Sequence, residues 1–173
     1  MSVRCKKRKG NTFWYKNGKL HRDDDLPAVE WNDKGKIWYR DGVIHRDGDL
    51  PAIDYASGTK FWYKNGKRHR DGDLPAIEYA GGTKEWYKNG KLHRDNGPAV
   101  VYSDGNKFWY HNGMRHREDG PAVVFKTKSV YYLEDDILSE EEYYKYLKEI
   151  DDLPLEIKLT HEKEWVRDRA KIK

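Results

Sequence analysis

Five histidines recur along the chain at nearly constant spacing, and each is followed by an arginine and then by an acidic residue. Imidazole, guanidinium and carboxylate groups together suit three kinds of chemistry: catalysis, metal binding, and recognition of phosphates or carboxylates. The histidines are His21, His45, His69, His93 and His116, and the arginines are Arg22, Arg46, Arg70, Arg94 and Arg117. Their spacing decides which chemistry is expected.

The repetition itself argues against a catalytic or metal site. A catalytic group normally occurs once in a protein, whereas pairs such as His21 with Asp23 and His69 with Asp71 are copied together with their surroundings. Equivalent histidines of successive β-hairpins lie about 10 Å apart, too far for one zinc ion to join them. We therefore predict that the protein is not an enzyme and has no catalytic residues, metal site, cofactor or small-molecule substrate.

The arginines are the best candidates for contacts with a ligand or partner. A row of guanidinium groups about 10 Å apart could follow a phosphate backbone or a run of acidic side chains. Alternatively, each arginine could pair with the acidic residue after it and brace a loop. Those residues are Asp23, Asp47, Asp71, Asp95 and Glu118. Both interpretations of the row are open at this point.

An internal repeat of about 24 residues supplies the elements that position these side chains. Each unit begins with Trp-Tyr, continues into Asn-Gly or Asp-Gly and the His-Arg pair, and then reaches a strand that begins at Pro-Ala. Asn-Gly between apolar residues is the strongest local signal for a two-residue hairpin turn. We predict an all-β repeat fold, an elongated antiparallel β-hairpin meander with five repeats over residues 13–133 and a small C-terminal helical cap.

The turn also predicts which side chains share a face. With Asn17-Gly18 as a two-residue loop, Trp14 lies opposite His21 on the neighbouring strand. The same pairing in every unit predicts a structural ladder, in which each tryptophan packs on that of the next unit. The pairs are Trp14/His21, Trp38/His45, Trp62/His69, Trp86/His93 and Trp109/His116.

Composition supports an aromatic core in a thin protein. Hydrophobic residues make up 36% of the chain and charged residues 37%, yet aromatic residues reach 14%, with 7 Trp and 13 Tyr. The one cysteine cannot form an intrachain disulfide, and no segment resembles a signal peptide or a membrane span. These features predict a protein of an intracellular, reducing compartment.

The pattern WxxNGKxHxxxG, followed by DG and a further aromatic residue, resembles the MORN repeat, a β-hairpin unit of similar length. The form WYxNGxxHRxDGPA is similar to the MORN-like repeats of giant double-stranded DNA viruses of the marseillevirus kind, and the resemblance covers residues 13–132. The usual MORN unit has glycine after the histidine, where this chain has arginine. The resemblance implies a hairpin meander with a scaffolding or partner-binding role, in the host cytoplasm or nucleus and in the virion.

The two ends of the chain differ from the repeats. Residues 1–12 form a basic N-terminal arm, which we expect to be mobile because it has no apolar partner. Its basic run, a nuclear-import or nucleic-acid-binding patch or simply a solubilising end, is Lys6, Lys7, Arg8 and Lys9. Residues 134–173 form the helical cap.

Within the cap, Ser139 followed by Glu142 is a capping box, which predicts a helix over 140–150. We expect this helix to cover the last hairpin at Val123, Phe125, Val130 and Tyr132. A short strand over 155–159 and a second helix after Thr160 complete the predicted cap.

Function then follows as one leading prediction and one alternative. The leading prediction is a non-catalytic repeat scaffold that mediates protein–protein interaction, including self-association, as a viral structural or infection-associated protein. The alternative is a nucleic-acid-associated protein that uses the basic arm and the arginine row. A membrane adaptor is not expected, because acidic residues interrupt the basic surface that it would need.

Overall fold

A computed structural model describes residues 3–151 as antiparallel β-hairpins followed by one helix. This arrangement confirms the predicted all-β repeat with a small helical cap. The predicted strand over 155–159 and the predicted helix after Thr160 lie outside the described residues.

The strands are short because turns and loops interrupt them every few residues. In chain order they are β1 (Arg4–Arg8), β2 (Asn11–Lys16), β3 (Lys19–Leu20), β4 (Val29–Trp31), β5 (Gly35–Ile37), β6 (Tyr39–Arg40), β7 (Val43–Ile44), β8 (Ile53–Tyr55), β9 (Lys60–Phe61), β10 (Tyr63–Lys64) and β11 (Lys67–Arg68). They continue with β12 (Ile77–Glu78), β13 (Lys84–Glu85), β14 (Tyr87–Lys88), β15 (Lys91–Leu92), β16 (Val100–Val101), β17 (Lys107–Phe108), β18 (Tyr110–His111), β19 (Met114–Arg115), β20 (Val123–Val124), β21 (Ser129–Leu133) and β22 (Asp136–Leu138), and end with helix α1 (Glu140–Asp151).

Most strands belong to one long sheet. Its order is β1-β2-β4-β5-β8-β9-β12-β13-β16-β17-β20-β21-β22, with β3 paired to β2. Four further hairpins, β6-β7, β10-β11, β14-β15 and β18-β19, each follow a strand of this sheet after a single tryptophan. The chain therefore passes from the long sheet through the Trp-Tyr pair directly into each hairpin.

The hairpin turns have the predicted backbone. In the third repeat, Asn65 and Gly66 both have positive φ, 51° and 77°, as a type I′ turn requires. The amide of Gly66 also donates a 2.9 Å hydrogen bond to the carbonyl of Ile44 in the preceding hairpin. The turns therefore join successive repeats as well as the two strands of their own hairpin.

The two faces of the sheet bury different residues. One face carries the cluster of Val29, Ile37 and Ile53, which are cross-strand partners, together with half-buried aromatic residues. The opposite face carries the repeated tryptophans and the alanine of each Pro-Ala pair. These alanines, all with 0% exposure, are Ala28, Ala52, Ala76, Ala99 and Ala122. We call this second side the junction face.

The N-terminal segment is not a mobile arm, so that expectation was wrong. Strand β1 pairs with β2 over five residue pairs, from Arg4 with Tyr15 to Arg8 with Asn11, and all its side chains are exposed. Lys9 and Gly10, with φ of 50° and 79°, form the connecting turn. The backbone of β2 would otherwise be an open edge, and a charged edge strand blocks further pairing.

The last hairpin, β21-β22, is a sixth half-repeat that the sequence did not reveal. Tyr131 and Leu138 are cross-strand partners in the places of the tryptophan and histidine. Glu134 and Asp135, with φ of 50° and 70°, replace Asn-Gly in the turn. Helix α1 begins directly after this hairpin, where the earlier repeats have their His-Arg loop.

Helix α1 confirms the predicted capping box but docks on the other face. The amide of Glu142 donates to the Ser139 hydroxyl, and the Ser139 amide donates to the Glu142 carboxylate. Tyr143 and Tyr146, both fully buried, pack against Leu133 and Leu138. The expected contacts, Val123, Phe125, Val130 and Tyr132, lie on the opposite face, because neighbouring residues of a strand alternate between faces.

Candidate interaction surfaces

The interior tryptophans of the junction face, Trp38, Trp62 and Trp86, each lie between two repeats. In the second repeat, Trp38 is 7% exposed, and the guanidinium of Arg46 lies 3.8 Å from its ring centroid. The Trp38 indole donates a 2.9 Å hydrogen bond to the carbonyl of Asp25 in the first repeat. Arg46 donates through Nε and Nη2, at 2.9 and 2.8 Å, to the carboxylate of the same Asp25. We call this set of contacts a junction.

The junction recurs at the next two repeats. The residues are Trp62, Arg70 and Asp49 in one, and Trp86, Arg94 and Asp73 in the other. Asp49 and Asp73 share the positive φ of Asp25, which turns the loop so that carbonyl and carboxylate both reach the following repeat. A stacked guanidinium with a bidentate carboxylate is a rigid arrangement that lysine cannot reproduce.

The expected stacking of tryptophan on tryptophan does not occur. Between residues 3 and 151 the aromatic ring contacts include no pair of repeat tryptophans. An arginine covers each ring instead, at 3.8 to 4.1 Å from the ring centroid, in the pairs Trp14/Arg22, Trp38/Arg46, Trp62/Arg70, Trp86/Arg94 and Trp109/Arg117. The arginine row therefore contributes to packing, and the side chains of Arg46, Arg70 and Arg94 are only 14%, 12% and 19% exposed.

The repeated histidines also join repeats. The amide of His45 donates to the carbonyl of Trp38, as expected for cross-strand partners. Nδ1 of His45 accepts a 3.0 Å hydrogen bond from the amide of Asn65 in the next turn, so Nε2 carries the ring proton and donates to Asp47 at 2.8 Å. Equivalent contacts involve His21, His69, His93 and His116. In these histidines both ring nitrogens therefore have a hydrogen-bond partner.

The four aspartates after the arginines bind other partners, which corrects the expected local ion pairs in the first four repeats. Asp71 accepts hydrogen bonds from His69 and from Lys64 on its own hairpin, and these contacts lower the pKa of its carboxyl group. Asp23 binds Lys16 and His21, Asp47 binds Arg40 and His45, and Asp95 binds Lys88 and His93. Arg46, Arg70 and Arg94 instead pair with an aspartate 21 residues earlier, in the preceding repeat.

The fifth repeat departs from this scheme. Its preceding loop is one residue shorter and has Gly97 before the proline, where the earlier loops have Asp-Leu. Arg117 therefore lacks a carboxylate in the preceding repeat and pairs with Asp119 of its own loop, at 2.7 Å. His111 stands where the other repeats have Lys16, Arg40, Lys64 or Lys88.

The face opposite the junctions carries a half-exposed surface that we call the aromatic stripe. Its members are Trp31, Tyr55, Phe61, Tyr79, Tyr102, Phe108 and Phe125. Neighbouring rings lie 5.2 to 6.2 Å apart, in one series from Trp31 to Tyr79 and another from Tyr102 to Phe125. Gly35 lies between Trp31 and Tyr55 in the sheet, and because it has no side chain their rings stack across it at 5.9 Å.

A polar centre divides the aromatic stripe. Glu85 occupies the position that Phe61 and Phe108 hold in the neighbouring repeats. Its carboxylate accepts hydrogen bonds from the hydroxyls of Tyr79 and Tyr87, at 3.2 and 3.0 Å. Burial and the Glu85 charge raise the pKa of Tyr87 to about 12. The stripe thus offers apolar rings on both sides of an anchored carboxylate.

The basic strand β1 forms a positively charged surface at the N-terminal edge of the sheet. Its sequence is RCKKR, and all five side chains are exposed, including Lys6, Lys7 and Arg8; Lys9 follows in the turn and Cys5 is a free thiol. The Lys6 ammonium lies 5.4 Å from the ring centroid of Tyr15. This edge can contact anions without opening any internal ion pair described above.

No protein-family model matches this sequence, and no curated protein matches it either. Among the helices of the described residues, none has the length and apolarity needed to cross a membrane.

Sequence reasoning missed four features of these surfaces. The buried alanines, Asp25 and its equivalents, Glu85 and His111 were not identified. A signal existed for each of them: the alanine and the second loop aspartate recur with the repeat, whereas Glu85 and His111 are departures from its consensus. Comparing the repeats position by position would have identified all four.

Proposed function

We propose that the protein is a non-catalytic scaffold that binds a protein partner, or a second copy of itself, through the aromatic stripe. One observation carries this proposal: two series of half-exposed aromatic rings run along several repeats on the face opposite the junctions. The similarity to MORN-like repeats of giant viruses makes a role in the virion or in infection part of the proposal.

The distribution of internal contacts supports this choice of face. On the junction face, Trp38, Trp62 and Trp86 are at most 8% exposed, and their arginines are paired. On the stripe, Tyr79 and Tyr102 are 38% and 40% exposed. Exposed tyrosines among apolar side chains are typical of protein interfaces, where they supply contact area at a small entropic cost.

The test is affinity capture from the cell in which the protein is made, with quantitative identification of co-purifying proteins. The variant is Tyr79→Ser combined with Tyr102→Ser, and the matched control is Leu74→Ser, an exposed apolar residue (41%) in a loop. We expect the stripe variant to lose partners that the wild type and the control retain. Equal capture by all three proteins would contradict the proposal.

Self-association is tested on the same three proteins. If the partner is a second copy, size-exclusion chromatography with light scattering gives a dimer or larger species for wild type and control, and a monomer for the stripe variant. If wild type, control and stripe variant all have the same mass, the proposal allows only a different protein as the partner.

The exposed basic side chains of β1 favour a second candidate, association with nucleic acid through the sheet edge. The arginine row does not support it, because those guanidinium groups are stacked and paired. The test is binding of single-stranded and double-stranded DNA and RNA at several salt concentrations, with Lys6→Glu/Arg8→Glu as the variant. Affinity for nucleic acid should fall steeply as the salt concentration rises, and the variant should lose it. Affinity that changes neither with salt nor with the substitutions would contradict this candidate.

A further inference from the structure

His111 differs from its equivalents in the other repeats in charge and in surroundings. The equivalents, Lys16, Arg40, Lys64 and Lys88, each bind the aspartate after the arginine of their own repeat. In the fifth repeat an imidazole replaces that cation, and Glu118 replaces the aspartate. A side chain that can coordinate a metal thus stands where the other four repeats have a positive charge.

The position of His111 brings imidazoles of two repeats together. Equivalent histidines are too far apart to share an ion, but the His111 ring lies between two of them. Its centroid is 4.7 Å from that of His93 in the fourth repeat and 5.8 Å from that of His116 in its own. One ligand atom each from His93, Asp95 and His111 lies within 4.8 Å of the other two.

The candidate ligands lie beside an open cleft, and the side chain of His93 is 5% exposed. His111 and Asp95 line a cavity of 690 Å³ between the fourth and fifth repeats, whose walls also include His116 and Glu118. Within residues 3–151, neither ring nitrogen of His111 has a hydrogen-bond partner. Burial, together with His93 and His116, lowers the pKa of His111.

We propose that His93, Asp95 and His111 bind a divalent transition metal ion of the zinc class. Two imidazoles and a carboxylate are ligands that such ions accept, and an open cleft leaves the remaining coordination positions to water. The ligand atoms, which lie within 4.8 Å of one another, must adjust to separations of about 3.3 Å, as in a tetrahedral zinc site. Asp95, with a 61% exposed side chain, can rotate to do so.

Binding changes one specific contact between repeats. Nε2 of His93 now donates to Asp95 at 2.7 Å, and Nδ1 accepts from the amide of Asn112 at 3.0 Å. To bind a metal through Nε2, the neutral ring must carry its proton on Nδ1, where it faces the Asn112 amide. The proton therefore moves from Nε2 to Nδ1, and the hydrogen bond from Asn112 opens. The equivalent bond from Asn89 to His69 stays intact.

The experiment is zinc titration by calorimetry of the full chain carrying Cys5→Ser, which removes the exposed thiol as a competing ligand. His111→Lys restores the residue type of the third and fourth repeats and should preserve the fold, as circular dichroism would verify. We expect one site in the parent protein and at least about tenfold weaker binding in the His111→Lys variant. Absence of zinc binding to the parent, or equal affinity of the two proteins, would overturn the proposal.

A gain-of-function variant sharpens the test. Lys88→His, added to His111→Lys, places an imidazole beside His69 and Asp71, with the geometry of the natural site moved by one repeat. Zinc binding should return in this double variant. In the amide NMR spectrum, zinc should shift Asn112 but not Asn89 in the parent, and the reverse in the double variant. If zinc shifts neither amide, or both equally, the proposal is wrong.

Discussion

The junction between the second and third repeats differs from that between the fourth and fifth. In the former, Trp62 is 6% exposed, and its indole and Arg70 both bind Asp49 of the preceding repeat. In the latter, the ring of Trp109 is only half-buried, and Arg117 binds Asp119 of its own loop. Stacking of arginine on tryptophan survives in both, at 3.8 and 4.1 Å.

The two junctions differ because the loop before the fifth repeat is one residue shorter. The loop before the fifth repeat lacks the aspartate that would hold Trp109 and Arg117. The cation–π contact therefore forms within each repeat, whereas the contact with the loop carboxylate forms between two repeats. The comparison predicts that the same substitution has different effects at the two positions.

The largest effect is expected for truncation of the interior tryptophan. Trp62→Ala removes a buried ring and one indole hydrogen bond, and should lower the free energy of unfolding by about 3–5 kcal/mol. Trp109→Ala should cause a smaller loss, because its ring is less buried. Urea unfolding of both variants checks this. A loss below about 1 kcal/mol for Trp62→Ala would mean that the junction face is not a core.

A smaller effect is expected for the arginines. Arg70→Lys keeps the charge but loses the planar stack on Trp62 and the two-point contact with Asp49, and should lower the free energy of unfolding by about 1–2 kcal/mol. Arg117→Lys should cost less, because its carboxylate partner Asp119 is 82% exposed. Equal losses at both positions would show that the stack alone matters. The same urea measurements apply.

The smallest effect concerns pH. The hydrogen bond from Arg70 lowers the pKa of Asp49 below its ordinary value of 3.8. A lowered pKa means that this carboxylate contributes stability above that ordinary value and loses it as the pH falls through the folded-state pKa. Asp49→Asn should therefore lose less stability than the wild type between about pH 5 and pH 2.5, measured by urea unfolding. An identical acid dependence would contradict a role for this ion pair.

The local part of the fold could be predicted because the sequence signal was local. Asn17-Gly18 and its equivalents set the turn type, and the two-residue loop then determined that Trp14 faces His21. The capping box at Ser139 predicted the start of helix α1 in the same way. In each case the deciding residues lie within a few positions of one another.

Contacts between repeats could not be predicted by the same reasoning. The pairing of Arg46 with Asp25 depends on a loop in which Asp25 has positive φ, and no local rule distinguishes it from pairing with Asp47. The helix was placed on the wrong face because the docking residues are Tyr131 and Leu133, which alternate with Val130 and Tyr132. The argument against a metal site compared equivalent histidines only and did not include His111, whose ring lies between those of His93 and His116.

The direction of the junctions bears on how such a chain grows. Each of the first three repeats offers a loop aspartate to the repeat after it, and the second, third and fourth repeats direct a tryptophan and an arginine to the repeat before them. A gene duplication of 24 residues copies the loop aspartate together with a tryptophan and an arginine that bind such an aspartate. It therefore adds a complete junction and disturbs none. The shortened loop at Gly97 offers no carboxylate, so duplicating that unit would add another weak junction. Lengthening by unequal recombination is thus tolerated in the first three units and disfavoured after the fourth.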